Sequence, residues 1–325
     1  MNTKNLTDID VKDKKILYEL DIDARQSFSQ IGKKVGLPKT VVAYRVHKLQ
    51  ETGFIKNFHA TIDSTKLGYI WLRSYFNYQY ATPEIKKEII EHFTQSKFSI
   101  IVHSVEGSYD LVVFMAVKNL LDFYPFWEET LNKYRDYFAN QIFSIYYQEH
   151  TYQYSFLIDA KIKRKKDTIL NTGEQAIIDE LDRQLLYLIA PNARIPLTEI
   201  AKKLHSTSEV ILYRIKKLIK LGIIQKFKVN IDFSKLGYSL YKVDLVLKDR
   251  SKLNQIIKYV ETNSYFICRD ITIGYTDLEL EFILKNTNQL HQIMEDLTVK
   301  FPKSIRNYTY FRVETTHKTR YIPEF

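Results

Sequence analysis

Side chains that can bond nucleic acid recur along one short stretch of the chain. Those expected to point outward from a helix are Lys39, Thr40, Val41, Tyr44, Arg45 and Lys48. Lys and Arg neutralise phosphate groups, Arg with two parallel hydrogen bonds, and Thr and Tyr bond either phosphates or base edges. The set therefore predicts a helix that lies in the major groove of double-stranded DNA.

The opposite face of this stretch is apolar. Val42, Val46 and Leu49 follow one another at i, i+4 and i+7, which predicts a stripe that packs into a core. Tyr44 has a second interpretation as a cover for the apolar edge of the helix. Arg45 also has one, an ion pair with an acid of a preceding helix such as Asp13.

A second copy of this pattern begins 169 residues later. Its outward residues are Ser208, Glu209, Tyr213, Arg214 and Lys217, and its apolar stripe is Ile211, Ile215 and Leu218. Glu209 replaces Thr40, and His205 replaces Gly36, which we expect to alter the turn before the helix. An acid can accept a hydrogen bond from cytosine, so this copy is expected to face DNA with a different or weaker base preference.

The copied region extends well beyond one helix. Residues 13–69 align with residues 182–238 without a gap, and about 22 of the 57 positions are identical. Further on, the segment EGSYDLVVFMAVKN from Glu106 matches IGYTDLELEFILKN from Ile273, with the offset shortened to 167. The chain is therefore a tandem duplication of a unit of about 150 residues.

The front half of each copy predicts three helices and a β-hairpin. In the first copy we expect helices from Asp10 to Leu20, from a cap near Ser29, and from Pro38 to a stop at Gly53. This order is the plan of a winged helix-turn-helix domain, whose third helix enters the major groove.

The back half of each copy predicts strand, helix, strand, strand, helix, strand, which is the ferredoxin-like plan. The fold class is therefore α+β. The expected segments are winged helix-turn-helix domains at 1–68 and 174–237, ferredoxin-like domains at 69–158 and 238–325, and a linker or short exposed strand end at 159–173.

The net charge of +10 is not spread evenly along the chain. Segments 1–68 and 174–237 carry +4 each and the segment 159–173 carries +3, whereas 69–158 carries −3 and 238–325 carries +2. A positive excess that lies mainly in the two front halves and the linker favours localised binding of an anionic partner.

Other functional classes lack the residues they need. Cys268 is the lone cysteine, which excludes an internal disulfide framework and fits a reducing cytoplasm. The chain shows no apolar signal segment or membrane-spanning run, no Cys/His ligand spacing, no Ser/His/Asp set and no Gly-rich phosphate loop. We therefore expect a cytoplasmic, nucleoid-associated protein with no catalytic residues, no metal and no cofactor.

These residues, in this order, make the chain resemble the Lrp/AsnC family of transcription regulators. The resemblance rests on DARQSFSQIGKKVGLPKTVVAYRVHKLQETGFI, IDSTKLGY and EGSYD, and it covers nearly the whole chain, twice. It implies sequence-specific DNA binding, dimerisation through the ferredoxin-like domains, and a response to an amino acid or similar small effector.

The resemblance also implies candidate effector residues. The family's Gly-x-x-Asp motif aligns with Gly107 and Asp110, and again with Gly274 and Asp277. The alternative is structural, because Gly can supply a turn conformation and Asp can cap a neighbouring backbone donor.

Family members usually carry one copy of the unit. A tandem pair implies an intramolecular pseudo-dimer with its two sheets facing each other, suited to an asymmetric DNA site, and chains could associate further through the same domains.

Two other functions stay open on the sequence alone. The basic linker and the Lys-rich second copy also permit an architectural protein that coats DNA with little sequence preference. Siroheme decarboxylases share the architecture, but they need His and Arg around a large tetrapyrrole pocket, and the eight histidines of this chain are scattered.

Overall fold

The computed structural model describes residues 9–158, 166–171 and 174–324. Within these residues the helices are α1 Val11–Ile22, α2 Phe28–Val35, α3 Lys39–Glu51, α4 Pro83–Gln95, α5 Leu120–Tyr134, α6 Glu180–Ile189, α7 Leu197–Lys203, α8 Ser208–Lys220, α9 Leu253–Val260 and α10 Thr287–Lys300. The strands are β1 Ile55–Ile62, β2 Ile70–Tyr78, β3 Ser99–Gly107, β4 Leu111–Val117, β5 Phe138–Tyr152, β6 Lys166–Asn171, β7 Ile224–Ile231, β8 Ser239–Leu247, β9 Phe266–Ile273, β10 Leu278–Leu284 and β11 Ile305–Thr319. No helix in these ranges is long and apolar enough to cross a membrane.

The first winged helix-turn-helix comprises α1 to α3 and β1, and the second comprises α6 to α8 and β7. The predicted β-hairpin after the third helix is wrong, because within the described residues each copy has a single strand there and the two strands pair with each other. Asp10 caps α1, and its partner in the capping box is Asp13. The predicted cap of α2 near Ser29 is wrong by two residues. Ser27 is the cap, because its Oγ accepts from Gln30 N at 3.2 Å and the Gln30 side chain accepts from Ser27 N at 2.8 Å.

The turn before the third helix is conserved in shape between the copies. Gly36 has φ of 69° at the end of α2, in the left-handed region that favours glycine. His205 occupies the matching position with φ of 49°. The expected alteration of the turn is therefore not found at this residue, which adopts the same left-handed conformation in spite of its side chain.

The back halves form the predicted ferredoxin-like units. The first sheet has the order β5-β2-β4-β3 and the second the order β11-β8-β10-β9, all antiparallel. Helices α4 and α5 pack on the outer face of the first sheet, and α9 and α10 pack on the outer face of the second.

The two sheets join at both edges. Strand β3 pairs with β11 in the register Gly107 to Phe311, and β5 pairs with β9 in the register Ile145 to Ile273. In the described residues, eight strands thereby close into a barrel, which leaves neither edge of either sheet open along these ladders. The pseudo-dimer is thus more tightly joined than two sheets that merely face each other.

The predicted linker, 159–173, contributes one element. Strand β6 adds to the far end of β5, with Tyr152 opposite Lys166. The remaining residues of this segment lie outside the described residues.

The two winged domains share one core. Strands β1 and β7 pair antiparallel, with Phe58 opposite Val229. Buried residues of both copies form a single apolar cluster beneath them, which includes Leu17, Leu186 and Ile322. Because the core is common, the orientation of α3 relative to α8 is fixed by the fold.

Ala24-Arg25 and Ala193-Arg194, which are identical at matching positions of the two copies, lie at the contact between the winged domains, here called the seam. Arg25 donates to Ala193 O at 2.7 Å, and Arg194 donates to Ala24 O at 2.5 Å and to Gln26 O at 3.2 Å. The two copies therefore exchange the same hydrogen bond in both directions, as expected at an isologous interface.

We expect Arg25→Ala and Arg194→Ala each to lower the free energy of unfolding by about 1.5–3 kcal/mol, because each removes a charged hydrogen bond to a partly buried carbonyl. Chemical denaturation measures this. Arg135→Ala, at an exposed position after α5, is the control and should change little. Equal effects from all three substitutions would contradict a specific role of the seam.

Candidate functional site

The outward face of α3 is open to solvent. Lys39, Thr40, Tyr44 and Lys48 are exposed, and Val41 is half-buried. Tyr44 exposes 67% of its surface, so it does not serve mainly as a cover for the core. The predicted apolar stripes are both buried, namely Val42, Val46 and Leu49 in α3 and Ile211, Ile215 and Leu218 in α8.

Arg45 is bonded to the first helix rather than directed freely outward. Its Nη1 lies 2.8 Å from Asp10 Oδ2 and 2.8 Å from Asp13 Oδ1. Both carboxylates raise the pKa of Arg45, with the Asp13 hydrogen bond the larger cause. The ion pair with Asp13 is therefore present in the free protein, and a contact between Arg45 and DNA stays a prediction.

The second copy repeats this arrangement of ion pairs between the third and the first helix. Arg214 Nη1 lies 2.7 Å from Asp179 Oδ2 and 2.9 Å from Asp182 Oδ1, and Lys217 Nζ lies 2.7 Å from Asp182 Oδ2. Tyr213 is 69% exposed, like its counterpart in the first copy. Glu209 is exposed in the first turn of α8, while Ser208 is half-buried.

The recognition faces therefore differ in charge. On α3, Lys39 and Lys48 are exposed and are not among the ion-paired residues described above. On α8, Lys216 and Lys220 are exposed and lie toward the C-terminal end, whereas Glu209 is at the N-terminal end. An anionic partner would therefore meet exposed lysines at both ends of α3, but an acid at the N-terminal end of α8 and lysines toward its C-terminal end.

The Gly-x-x-Asp motifs form the β3–β4 and β9–β10 hairpins. Gly107 has φ of 130° and Gly274 has φ of 112°, a conformation that favours glycine. Asp110 Oδ2 accepts from Tyr78 N at 2.8 Å, and Asp277 Oδ2 accepts from Leu247 N at 2.8 Å. Each motif therefore has the structural role given as the alternative, and an effector role for these four residues stays a prediction.

The second hairpin also borders a cleft. Asp277 Oδ1 accepts from Arg250 Nη1 at 2.8 Å at its rim. The cleft has a volume of about 310 Å³ and is lined by Arg250, Thr272, Ile273, Gly274, Tyr275, Thr276 and Asp277.

A buried ionic cluster inside the barrel was not anticipated from the sequence. Arg73, from the first copy, bonds Asp270 Oδ2 at 2.8 Å and also bonds Glu279, both from the second copy. Lys242 lies 2.6 Å from Asp270 Oδ2, 3.1 Å from Glu279 Oε2 and 3.1 Å from Glu281 Oε1. Arg73, Lys242, Asp270 and Glu279 are all nearly inaccessible to solvent.

The sequences of two strands, β8 and β10, contain an indication of this cluster. Lys242 and Asp244, and likewise Glu279 and Glu281, are charged residues at alternate positions of otherwise apolar runs. Alternate residues of a strand share one face, so both pairs point to the same side of the sheet. A charged inner face is conspicuous because an unpaired buried charge is costly.

One acid of this inner face has no partner. Asp244 is 1% exposed, and neither of its carboxylate oxygens has a hydrogen-bond partner. Burial and the Glu279 carboxylate raise the pKa of Asp244 to about 8. By contrast, although burial opposes it, Arg73 and Lys242 lower the pKa of Glu279 to about 2.

Among the described residues, Glu149, Cys268 and Asp270 bring three potential metal-ligand atoms within 4.8 Å of one another. Asp270 already forms ion pairs with Arg73 and Lys242. Burial, followed by the nearby carboxylates, raises the pKa of the Cys268 thiol well above its usual value. A thiol that stays protonated is a poor ligand for a metal ion.

The chain contains two matches to the AsnC-type helix-turn-helix domain, at residues 9–50 and 178–219. It is 36% identical over 99 residues to an uncharacterized HTH-type transcriptional regulator of Pyrococcus furiosus, covering 30% of this chain and 67% of that protein. It is 30% identical over 118 residues to the regulatory protein AsnC of Haemophilus influenzae, covering 36% of this chain and 79% of that one. The chain belongs to the Lrp/AsnC family of transcription regulators, in a tandem-duplicated form.

The whole architecture has a counterpart among solved structures. The siroheme decarboxylase NirDL superposes with a TM-score of 0.65 over 97% of this chain and 94% of that one, at 14% sequence identity. At this identity the likeness concerns the fold alone. A tandem arrangement of two such units is therefore found in that protein as well.

Because the buried Asp244 carboxylate has no hydrogen-bond partner, we expect substitution of Asp244 to change stability in a pH-dependent way. A folded pKa near 8, above the value in the unfolded chain, means that the folded protein binds more protons between these two values, so its stability falls as pH rises through that window. Asp244→Asn removes the ionisation. We expect a variant close to wild type at pH 5 and more stable than wild type at pH 9, by about 1–3 kcal/mol.

Thermal unfolding at the two pH values measures this difference. Asp296→Asn, which alters an exposed acid of α10, serves as the control and should not change its effect with pH. A pH-independent effect of Asp244→Asn would show that Asp244 does not titrate in this range.

Proposed function

We propose that this protein is a sequence-specific DNA-binding transcription regulator that reads an asymmetric site with two different recognition helices. The observation that carries the proposal is the pair of exposed helix faces on α3 and α8, each clamped by an Arg to the caps of the first helix of its own domain. The shared core holds the two faces in one fixed relation.

The two copies would contribute differently to binding. Lys39 and Lys48 can neutralise phosphates at both ends of α3, with Thr40 and Tyr44 between them for bonds to bases or phosphates. On α8, the Glu209 carboxylate is unfavourable next to the phosphates of DNA and is better suited to accept a hydrogen bond from cytosine. Tyr213 remains available for bonds to bases or phosphates. Arg45, Arg214 and Lys217 would act chiefly by fixing the helices, and would reach DNA only by leaving their acids.

Several features favour a regulator over an enzyme. The barrel interior holds a dense ionic and aromatic cluster at its centre, with Arg73 over the rings of Phe114 and Tyr146 at 4.4 and 4.6 Å. A tetrapyrrole needs a large open pocket, and the cleft at the second hairpin is small. Added siroheme should therefore leave the absorption spectrum of the mixture equal to the sum of its parts, and a shifted Soret band would support the enzyme instead.

The closed barrel also bears on assembly. Both outer strands of each ferredoxin-like sheet are paired within the chain, so the chain supplies its own dimer partner. Association of whole chains into larger assemblies would have to use other surfaces.

Because its target is chromosomal DNA, we place the protein at the nucleoid in the cytoplasm.

The contribution of α3 is tested by Lys39→Ala with Lys48→Ala. Each lost phosphate contact should lower the slope of log K against log salt by roughly one, so this pair should weaken binding and reduce the slope by about two. Quantitative binding to a fragment selected from random DNA measures both values. Lys258→Ala with Lys300→Ala removes the same charge from exposed positions of α9 and α10 and should leave the slope nearly unchanged.

The contribution of α8 is tested separately by Tyr213→Ala with Lys216→Ala. We expect weaker binding and a loss of protection at one end of the footprint only. If affinity and footprint stay as in the wild type, the second copy is a structural partner and the proposal of two readers is wrong. An architectural protein would instead give no selected sequence and no defined footprint.

A further inference from the structure

A cleft lies where the second winged domain meets the first copy. It has a volume of about 150 Å³, and its lining residues are Leu67, Lys118, Ala176, Ile177, Ile178 and Arg183. Leu67 ends the short 3-10 helix after β1, and Lys118 directly follows β4. The other four residues belong to α6 or to the segment that leads into it. Three segments, taken from both copies, therefore form the walls of this cleft.

The backbone holds two of these walls together. Ala176 N donates to Lys66 O at 2.8 Å, so the segment before α6 is bonded to the end of the first winged domain. Gly68 has φ of 84°, and a Cβ at this position would lie only 3.2 Å from Gln175 Oε1. The shape of the cleft is thus set by close backbone contact as well as by side chains.

The apolar lining includes one residue that the fold leaves in water. Ala176 and Ile178 pack against the shared core of the winged domains, whereas Ile177 between them is 94% exposed. A large apolar side chain exposed at a cleft gains free energy when the apolar group of a ligand covers it. The exposed Ile177 therefore favours a ligand with a hydrocarbon part.

Two of the lining residues are cations, and both lie close to Tyr69. Lys118 Nζ lies 4.9 Å from the centre of the Tyr69 ring, and the Tyr69 hydroxyl donates to Glu324 O. Burial, followed by the neighbouring Tyr187, raises the pKa of Tyr69 to about 12, and Arg183 opposes this rise. The positive charges of Lys118 and Arg183 thus meet at one place, and none of the described lining residues is an acid.

Two acids near the cleft are already bonded to arginines. Glu180 Oε2 lies 3.2 Å from Arg183 Nη1, and their side chains are 67% and 41% exposed. Glu324 Oε1 lies 2.6 Å from Arg320 Nη1. An exposed ion pair contributes little free energy, so the anionic group of a ligand can compete with Glu180 for Arg183.

The charge of the cleft also limits which anions it accepts. Lys118 and Arg183 attract a carboxylate, whereas both repel an ammonium group on the adjacent carbon atom. A free amino acid carries these two groups together, so its net attraction is small. The lining therefore suits an aliphatic carboxylate without an amino group, and the volume limits its chain to a few carbon atoms.

The repeat does not supply a second set of the same residues. The leucine and the two cations have the counterparts Leu236, Lys285 and Lys14 at the offsets of the repeat. The counterpart of Ile177 is Asp8, which lies outside the described residues, so this comparison is one of sequence. An acid beside the two cations would offset their charge and repel a carboxylate. We therefore expect one site per chain.

We propose that this cleft is a binding site for a small aliphatic carboxylate that lacks an amino group. Lys118 and Arg183 bind the carboxylate, and the carbon chain lies on the apolar lining. The ligand contacts α6, the helix whose Asp182 bonds Lys217 of α8. None of the lining residues belongs to the exposed faces of α3 and α8, so the site does not depend on the proposed function.

The site is tested on the full chain, without DNA, by three small ligands of related shape. Isovalerate is the carboxylate, valine is the same skeleton with an added ammonium group, and isobutylamine has an ammonium group in place of the carboxylate. Saturation-transfer NMR suits the roughly millimolar affinity that a ligand of about seven heavy atoms reaches. We expect saturable binding of isovalerate, at least fivefold weaker binding of valine, and no binding of isobutylamine.

Matched substitutions in the two copies locate the site. Lys118→Gln and Arg183→Gln should each weaken isovalerate binding at least fivefold. Ile177→Asp introduces the acid of the counterpart position at a residue that is almost fully exposed, so it should abolish binding without disturbing the fold. Lys285→Gln is the control, because it removes the counterpart of Lys118 from an exposed position of the second copy, and it should leave the affinity unchanged.

Four results would overturn the proposal. They are no saturable binding of isovalerate, valine binding as tight as isovalerate binding, an unchanged affinity in Ile177→Asp, and equal losses in Lys118→Gln and Lys285→Gln. Circular dichroism of each variant verifies that the chain is folded. Failure of the lysine and tyrosine variants in DNA binding bears on the proposed function alone and leaves this outcome untouched.

Discussion

The reciprocal pairing of β3 with β11 and of β5 with β9 is the constraint on which the rest of the structure depends. Four strands from each copy become one closed sheet, and the polypeptide leaves each sheet at a fixed point to enter the winged domains. Segments that follow the last strand of each sheet, around Leu157 and Ile322, then insert into the common core of those domains. The recognition helices are therefore oriented by the barrel and by their own shared core together.

Duplication freed the two halves of this barrel to diverge. Arg73 of the first copy finds its acids, Asp270 and Glu279, only in the second copy, because the first copy has His103 and Val112 at the matching positions. A barrel made of two first copies would bury two arginines without these partners, at a high cost in free energy. The ionic cluster thus suits only the unlike pairing that one chain provides, and it leaves one inner face acidic and the other aromatic.

Much of this organisation was predictable from the sequence because it depends on period and repetition. The helices and strands follow from apolar spacing, and the pseudo-dimer follows from the gapless repeat. The position of Arg45 was undecided, since its ion pair with Asp10 and Asp13 requires two helices to meet at a particular angle. The role of Ser27 as a cap was missed because Ser29, two residues on, offers the same hydroxyl.

The closure of the barrel and its charged interior could not be predicted in the same way. Edge pairing between β3 and β11 joins residues that are about 200 positions apart in the sequence. The local pattern of apolar and polar residues does not specify the register of such a pairing. Alternating charges such as Glu279 and Glu281 were visible, but they are typical of a solvated strand face until the sheet is known to close over them.

The most direct test of the account is to locate each recognition helix on DNA. A DNA-cleaving iron chelate would be tethered to a cysteine introduced at His47 in one protein and at Lys216 in another. Both positions are exposed, whereas the native Cys268 is buried. If the two helices have different base preferences, the first protein cuts one selected fragment near one end of the footprint and the second cuts it near the other end. Cleavage at both ends by each protein would mean that the complex binds in either orientation, and would contradict two recognition helices with different base preferences.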